Sequence, residues 1–244
     1  MLTEKVIWIH HWSNRTFSFR TTRTQSFRFF AGEFAMIGLM IGGKRVIRAY
    51  SIVSPPWADY LEFLSIKILD GELTSKLQNI EIGDEVVLME KTTGTLRNEA
   101  IKDGKTLWLL ATGTGLAPWP SLIRDLDTLE RWDSIKVIHS VRNRNDLAYY
   151  DELTSAYADS EPDLTDLIKE KLTYIPIVTG EGDKRITAQL GNELAINTAH
   201  DKIMICGNLK FNYDVADWCK ANSMQEGSLR EPGDFVLERA FVEK

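Results

Sequence analysis

Cysteine is scarce. The 244 residues contain two, Cys206 and Cys219, too few for a disulfide framework, a Cys-x-x-Cys motif or the thiolates of an iron–sulfur cluster. The four histidines, His10, His11, His139 and His200, show no His-x-x-x-His or Glu-x-x-His spacing that would set two ligands on one helical face. No bound metal is therefore expected, and any redox group should be organic. No apolar run approaches the roughly 20 residues that span a bilayer. The opening MLTEKVIWIHHW also lacks the basic start and cleavage pattern of a signal peptide, so a cytoplasmic protein without a membrane anchor is expected. Positive charge is not in excess either: a net charge of −6 argues against a general nucleic-acid binder. Repeats and low-complexity tracts are missing.

What is present is the composition of ordinary globular domains, with 43% hydrophobic and 26% charged residues, in a chain long enough for one large domain or two average ones. The periodicity changes part-way. Up to about residue 97, short alternating or β-rich runs at 6–9, 17–20, 27–30, 49–53, 61–68 and 85–89 are separated by turn signals such as Gly42-Gly43, Pro55-Pro56, Asp70-Gly71 and Gly83-Asp84. Short strands at this spacing predict an antiparallel barrel or sandwich, with one helix near 74–79. Beyond about residue 104, buried runs at 107–111, 135–140, 172–178 and 202–206 alternate with helical segments, the first of them at 119–129. That alternation predicts a parallel, doubly wound sheet. The boundary should fall in the polar stretch 97–105, giving domains at 1–99 and 100–244.

Four segments could carry chemistry. Thr112-Gly113-Thr114-Gly115-Leu116-Ala117-Pro118 follows a buried strand, where glycines let backbone amides approach a phosphate-bearing ligand; read alone, the turn is as often structural. Arg48-Ala49-Tyr50-Ser51 joins a phosphate-pairing fork, an aromatic face and a hydroxyl. On a strand, Arg48 and Tyr50 share one face and Ser51 takes the other, although an ordinary amphipathic strand accounts for the same residues. Gly71-Glu72-Leu73-Thr74-Ser75 places two hydroxyls at a helix start, as an anion site or as a plain N-cap. Cys206-Gly207-Asn208 ends the last buried run, again at a ligand-binding edge, while a buried cysteine alone is commonly a small hydrophobe.

In this order, and together with Leu61 to Lys67, Thr93-Gly94-Thr95, Val141-Arg142 and the terminus Glu238 to Lys244, these segments resemble the ferredoxin/flavodoxin–NADP reductases of the bacterial type. The resemblance runs over essentially the whole chain. It implies a flavin-binding antiparallel β-barrel followed by an NADP-binding α/β domain, in an enzyme that passes electrons between NADP(H) and ferredoxin or flavodoxin. Hydride would reach flavin N5, and single electrons would leave through a semiquinone. By resemblance, Arg48 would pair with the FAD pyrophosphate, Tyr50 would pack on the isoalloxazine with Ala49 beside it, and Ser51 would hydrogen-bond near N5. Ser65, Ile66 and Lys67 would line the flavin and adenosine path, and Leu73, Thr74 and Ser75 would meet the pyrophosphate. Thr112, Gly113 and Gly115 would face the nicotinamide side of the flavin, Cys206 would sit beside the nicotinamide, and Ala240 would cover the ring, with Phe241 continuing toward the adenine. Val141, Arg142, Thr179, Arg185, Gly207 and Asn208 would hold NADP, with Arg142 and Arg185 on its 2′-phosphate. Ser51, Cys206 and Ala240 are the expected catalytic positions.

The chain departs from the family at Gly180, where an arginine is usual; restoring one would strengthen NADPH binding if the loop admits it. Trp119 stands where phenylalanine is usual. A monomer is expected. Arg15, Arg20, Arg23, Arg28, Lys44, Arg45 and Lys67 are candidates for a basic docking patch, or for a solvated sheet face. A flavin reductase of the same superfamily and a non-catalytic nucleotide-binding regulator are the alternatives. The colour of the purified protein separates the second from an enzyme, and ferredoxin-dependent cytochrome reduction separates the first.

Overall fold

A computed structural model describes residues 1–157 and 162–239. In the first part, six strands, β1 (Leu2–His11), β2 (Thr16–Thr22), β3 (Phe34–Ile41), β4 (Lys44–Ser51), β5 (Tyr60–Ile66) and β6 (Glu85–Thr93), form an antiparallel sheet, with a short helix α1 (Thr74–Leu77) before the last. The sheet order is β4-β3-β6-β1-β2-β5. Its two edges meet just beyond β4, where Ile52 bridges Phe63 and the Val53 amide donates to the Glu62 carbonyl at 2.8 Å, so the sheet closes into a barrel. Strand alternation sends Phe17, Phe19, Ile37, Phe63 and Val86 inward, and the register of β2 on β5 sets Phe19 opposite Phe63 with ring centroids 5.5 Å apart.

The run 27–30 is not a strand. Phe27 and Phe29 are buried in the barrel core, and the Phe27 carbonyl accepts from the Arg23 guanidinium instead of a ladder partner. The strand that fills this place, β3, is apolar on both faces and interrupted by Gly38, so it carries no alternating signal.

The second part holds a five-stranded, all-parallel sheet ordered β11-β10-β7-β8-β9, made of β7 (Thr106–Thr112), β8 (Ser134–Val141), β9 (Leu172–Val178), β10 (Lys202–Gly207) and β11 (Phe235–Arg239). Between them lie α2 (Pro118–Leu122), α3 (Leu126–Arg131), α4 (Tyr150–Thr154), α5 (Pro162–Lys171), α6 (Ile186–Gln189) and α7 (Leu209–Ala221). The single helix expected at 119–129 is two. Asp125 caps α3 by accepting from the Thr128 amide at 3.1 Å, and the preceding Arg124 turns back to the Pro120 carbonyl at 2.8 Å. Strand β11, five residues long, forms where the periodicity predicts none. The chain lays β7 in the middle, adds β8 and β9 on one side, then returns to β10 on the other. That reversal opens a crevice at the carboxyl ends of β7 and β10.

One hydrophobic cluster spans both parts. Ala31, Val53, Leu64 and Leu96 pack in the same cluster as Leu116 and Trp119. Polar links cross the seam as well: Arg124 donates to the Val53 carbonyl at 2.7 Å, the Tyr149 hydroxyl donates to Glu62 at 2.8 Å, and the Ser13 hydroxyl donates to Asp146 at 2.8 Å. No helix among the described residues is long and apolar enough to cross a membrane.

Candidate functional site

Two cavities meet in the crevice. The inner one, of about 450 Å³, lies between the barrel and the ends of β7 and β10, and Arg48, Ala49, Tyr50, Ser51, Ser65, Ile66 and Thr74 form its barrel wall. Thr112, Gly113, Gly115, Cys206, Gly207 and Asn208 form the opposite wall. The pairing of β4 with β3 puts Tyr50 and Arg48 on one face, and Tyr50 is fixed by a 3.2 Å hydrogen bond between its hydroxyl and that of Ser65. Arg48 donates to Glu72 at 3.1 Å. The outer cavity, of about 710 Å³, runs from Thr112 and Asn208 to Val141, Arg142, Thr179, Gly180 and Arg185 at the ends of β8 and β9. The two cavities share the turn Thr112–Thr114 as a common wall.

That turn needs glycine for close approach. A Cβ on Gly115 would lie 2.2 Å from the Cys206 carbonyl oxygen, and one on Gly207 would lie 2.3 Å from Thr112 Oγ1. The ends of β7 and β10 are therefore in direct backbone contact. Gly113, at φ +54°, presents an open face with no atom within 4 Å of a built Cβ.

Three expected residues lie off these walls. Leu73 is fully buried in the barrel core, Ser75 is half-buried on α1, and Lys67 directs its ammonium to the Ser13 carbonyl at 2.8 Å. Ala240 and Phe241 lie outside the described residues. The suggested basic patch is largely engaged elsewhere. Arg23 donates to the Phe27, Pro56 and Ala58 carbonyls, and Arg20 pairs with Glu62 at 2.9 Å between the Trp8 and Tyr60 rings. In the outer cavity, by contrast, the exposed Arg142 and Arg185 make no side-chain hydrogen bond or ion pair with any described residue, so their forks are available to an anion.

Sequence reasoning missed two groups. Glu238, on β11 beside Cys206, is the one carboxyl among the described residues lining the inner cavity. Burial pushes its pKa up to about 8, against the pull of the Thr95 amide, with Glu33 adding to the rise. At neutral pH it holds a proton. The periodicity predicts no strand at 235–239, so nothing local in the sequence places Glu238 at the cavity. The second group is His139. It is fully buried, and burial pulls its pKa down to about 4. The neutral ring donates from Nε2 to the Gly113 carbonyl at 3.0 Å and accepts at Nδ1 from the Tyr174 hydroxyl at 3.2 Å, which holds the left-handed turn between the cavities. Cys206 is buried and its thiol is pushed up, first by burial and then by Glu238, so it stays a neutral thiol.

Residues 3–96 match the family model described as the oxidoreductase FAD-binding domain, and residues 109–217 match the oxidoreductase NAD-binding domain. The chain is 42% identical to ferredoxin–NADP reductase A of Sorangium cellulosum, over 98% of this chain and 90% of that protein. It is also 42% identical to a flavodoxin/ferredoxin–NADP reductase of Rhodobacter capsulatus, over 96% and 91%. The crystal structure of a ferredoxin NADP+ reductase from Neisseria gonorrhoeae with bound FAD and NADP superposes with a TM-score of 0.89 at 28% identity, covering 98% of both chains.

Proposed function

The chain belongs to the ferredoxin–NADP reductases, and on that premise we propose that its inner cavity takes the flavin of FAD and its outer cavity the nicotinamide nucleotide. It is an FAD-dependent oxidoreductase that carries electrons between NADP(H) and ferredoxin. The observation that carries the assignment of the two cavities is their common wall: a ring lying over the open face of Gly113 and a nucleotide entering past Thr112 meet across one turn. The residues present fit FAD. A half-buried tyrosine offers an aromatic face, the Arg48 guanidinium offers donors for a pyrophosphate, and Ser51 and Thr112 offer hydroxyls at the ring. No motif for covalent attachment is present.

FAD, when bound, accepts a hydride from NADPH and releases electrons singly. The chain's own residues bind, orient and manage protons. His139 keeps Gly113 in its turn, so the wall between the reacting groups is rigid. Gly115 packs against the Cys206 carbonyl and Gly207 against the Thr112 hydroxyl, which draws the ends of β7 and β10 together at the junction. Glu238, protonated at neutral pH, can hold a proton beside Cys206 and hand it on when charge builds up next to it. Arg142 and Arg185 bind the 2′-phosphate and favour NADPH over NADH. Flavodoxin as a second carrier, a monomeric state, a cytoplasmic location and a domain division between residues 99 and 100 complete the proposal.

The purified protein should be yellow, release FAD on acid or heat treatment, bleach with NADPH, and reduce cytochrome only when ferredoxin is added. Colourless protein, or flavin that NADPH leaves oxidised, would refute the cavity assignment.

A further inference from the structure

We propose that Arg15, from the barrel, binds the diphosphate of the nicotinamide nucleotide across the seam between the two parts. The inference rests on the outer cavity taking NADP(H).

Arg15 ends the turn between β1 and β2, and that turn is held from several sides. Its own amide donates to the Ser13 hydroxyl at 3.0 Å, and its carbonyl accepts from the Lys67 amide at 2.7 Å. The Lys67 ammonium donates to the Ser13 carbonyl at 2.8 Å, and the Ser13 hydroxyl reaches over the seam to Asp146 at 2.8 Å. The backbone is thus fixed at the mouth of the crevice. The side chain is exposed, lines both cavities, and makes no hydrogen bond or ion pair with any described residue. Other cations nearby are committed: Lys67 to the Ser13 carbonyl, and Lys210 to both oxygens of Asp214 at 2.9 and 2.8 Å.

Geometry then decides which group Arg15 meets. A nucleotide with its nicotinamide at Thr112 and its 2′-phosphate at Arg142 and Arg185 must run its diphosphate through the middle of the outer cavity. Arg15, like Thr112, lines both cavities and so stands at the Thr112 end of that path. A guanidinium suits a diphosphate because its fork donates to two oxygens at once. NADH and NADPH carry the same diphosphate. Arg15 therefore adds affinity without adding choice, and offsets in strength, not in selectivity, the arginine missing at Gly180.

The test is calorimetric binding of NADP+, NAD+ and 2′-AMP to the FAD-loaded protein. Arg15→Ala should weaken NADP+ and NAD+ by the same factor, about ten- to a hundredfold for a lost charge-assisted hydrogen bond, and change 2′-AMP by less than about twofold. Arg15→Lys should recover part of the loss. Arg142→Ala should show the reverse pattern, weakening NADP+ and 2′-AMP and sparing NAD+. Three results would overturn the proposal: unchanged NADP+ and NAD+ binding, an equal loss of 2′-AMP, or a loss of FAD with nucleotide affinity intact. If the unaltered protein bound none of the three nucleotides, the reading of the outer cavity would fall, and this proposal with it.

Discussion

Gly180 lies where the family carries a phosphate-binding arginine, and restoring one would appear from sequence to improve NADPH binding. The loop does not admit it. Any residue with a Cβ at 180 would place that atom 2.3 Å from the Arg142 carbonyl oxygen, the same oxygen that accepts the Gly180 amide at 2.9 Å. Ordinary contact needs about 1 Å more, so Gly180→Ala must push the Arg142 backbone away by roughly that amount. A charge-assisted hydrogen bond stretched so far is effectively lost, at about 1.5–3 kcal/mol, or about ten- to a hundredfold in affinity. Gly180→Ala should therefore raise the KM for NADPH by that factor and leave the KM for NADH nearly unchanged. Gly180→Arg should give no gain, because its new cation arrives only by displacing the old one. Stopped-flow reduction of the flavin with each nucleotide measures both. Tighter NADPH binding in Gly180→Arg, or an unaltered preference in Gly180→Ala, would refute the reasoning.

Arg142→Ala should itself lower kcat/KM for NADPH by about ten- to a hundredfold and spare NADH; equal losses with both would assign Arg142 to the fold or to the shared part of the nucleotide. Gly115→Ala, which sets a methyl group 2.2 Å from the Cys206 carbonyl, should cost about 1–3 kcal/mol of stability and loosen FAD, read as a lower Tm and a lower flavin content. Glu238 keeps its proton up to about pH 8 when folded but loses it near 4.5 when unfolded, so the folded protein binds more protons between those values and stability falls as pH rises through them. The slope is at most about 1.4 kcal/mol per pH unit, and Glu238→Gln should flatten it in denaturant titrations across that window.

Periodicity revealed the two-part architecture because both sheets obey it, alternation in β1, β2 and β5 and buried runs in β7, β8 and β10. It failed where burial and pairing part company. Phe27 and Phe29 repeat at a spacing of two, yet they fill the barrel core from a loop, while β3 is apolar on both faces and has no polar alternation to read. The site was legible where glycine spacing marks a turn, at Thr112–Gly115, and where an arginine follows a strand, at Arg142. Glu238 and His139 left no local mark. Their roles arise from β11 lying beside β10 and from β8 passing under Gly113, relations between segments far apart in the chain. Arg15 was visible only as one charge among several, until the path of its turn singled it out.

Ala31, Val53, Leu64 and Leu96 of the barrel interlock with Leu116 and Trp119 in one core, so the seam between the two parts is not a hinge. The separation of the two cavities is then a property of packing, set once when the chain folds. Electron donor and acceptor would find their spacing already in place, and the entropy of bringing them together would be settled before either arrives.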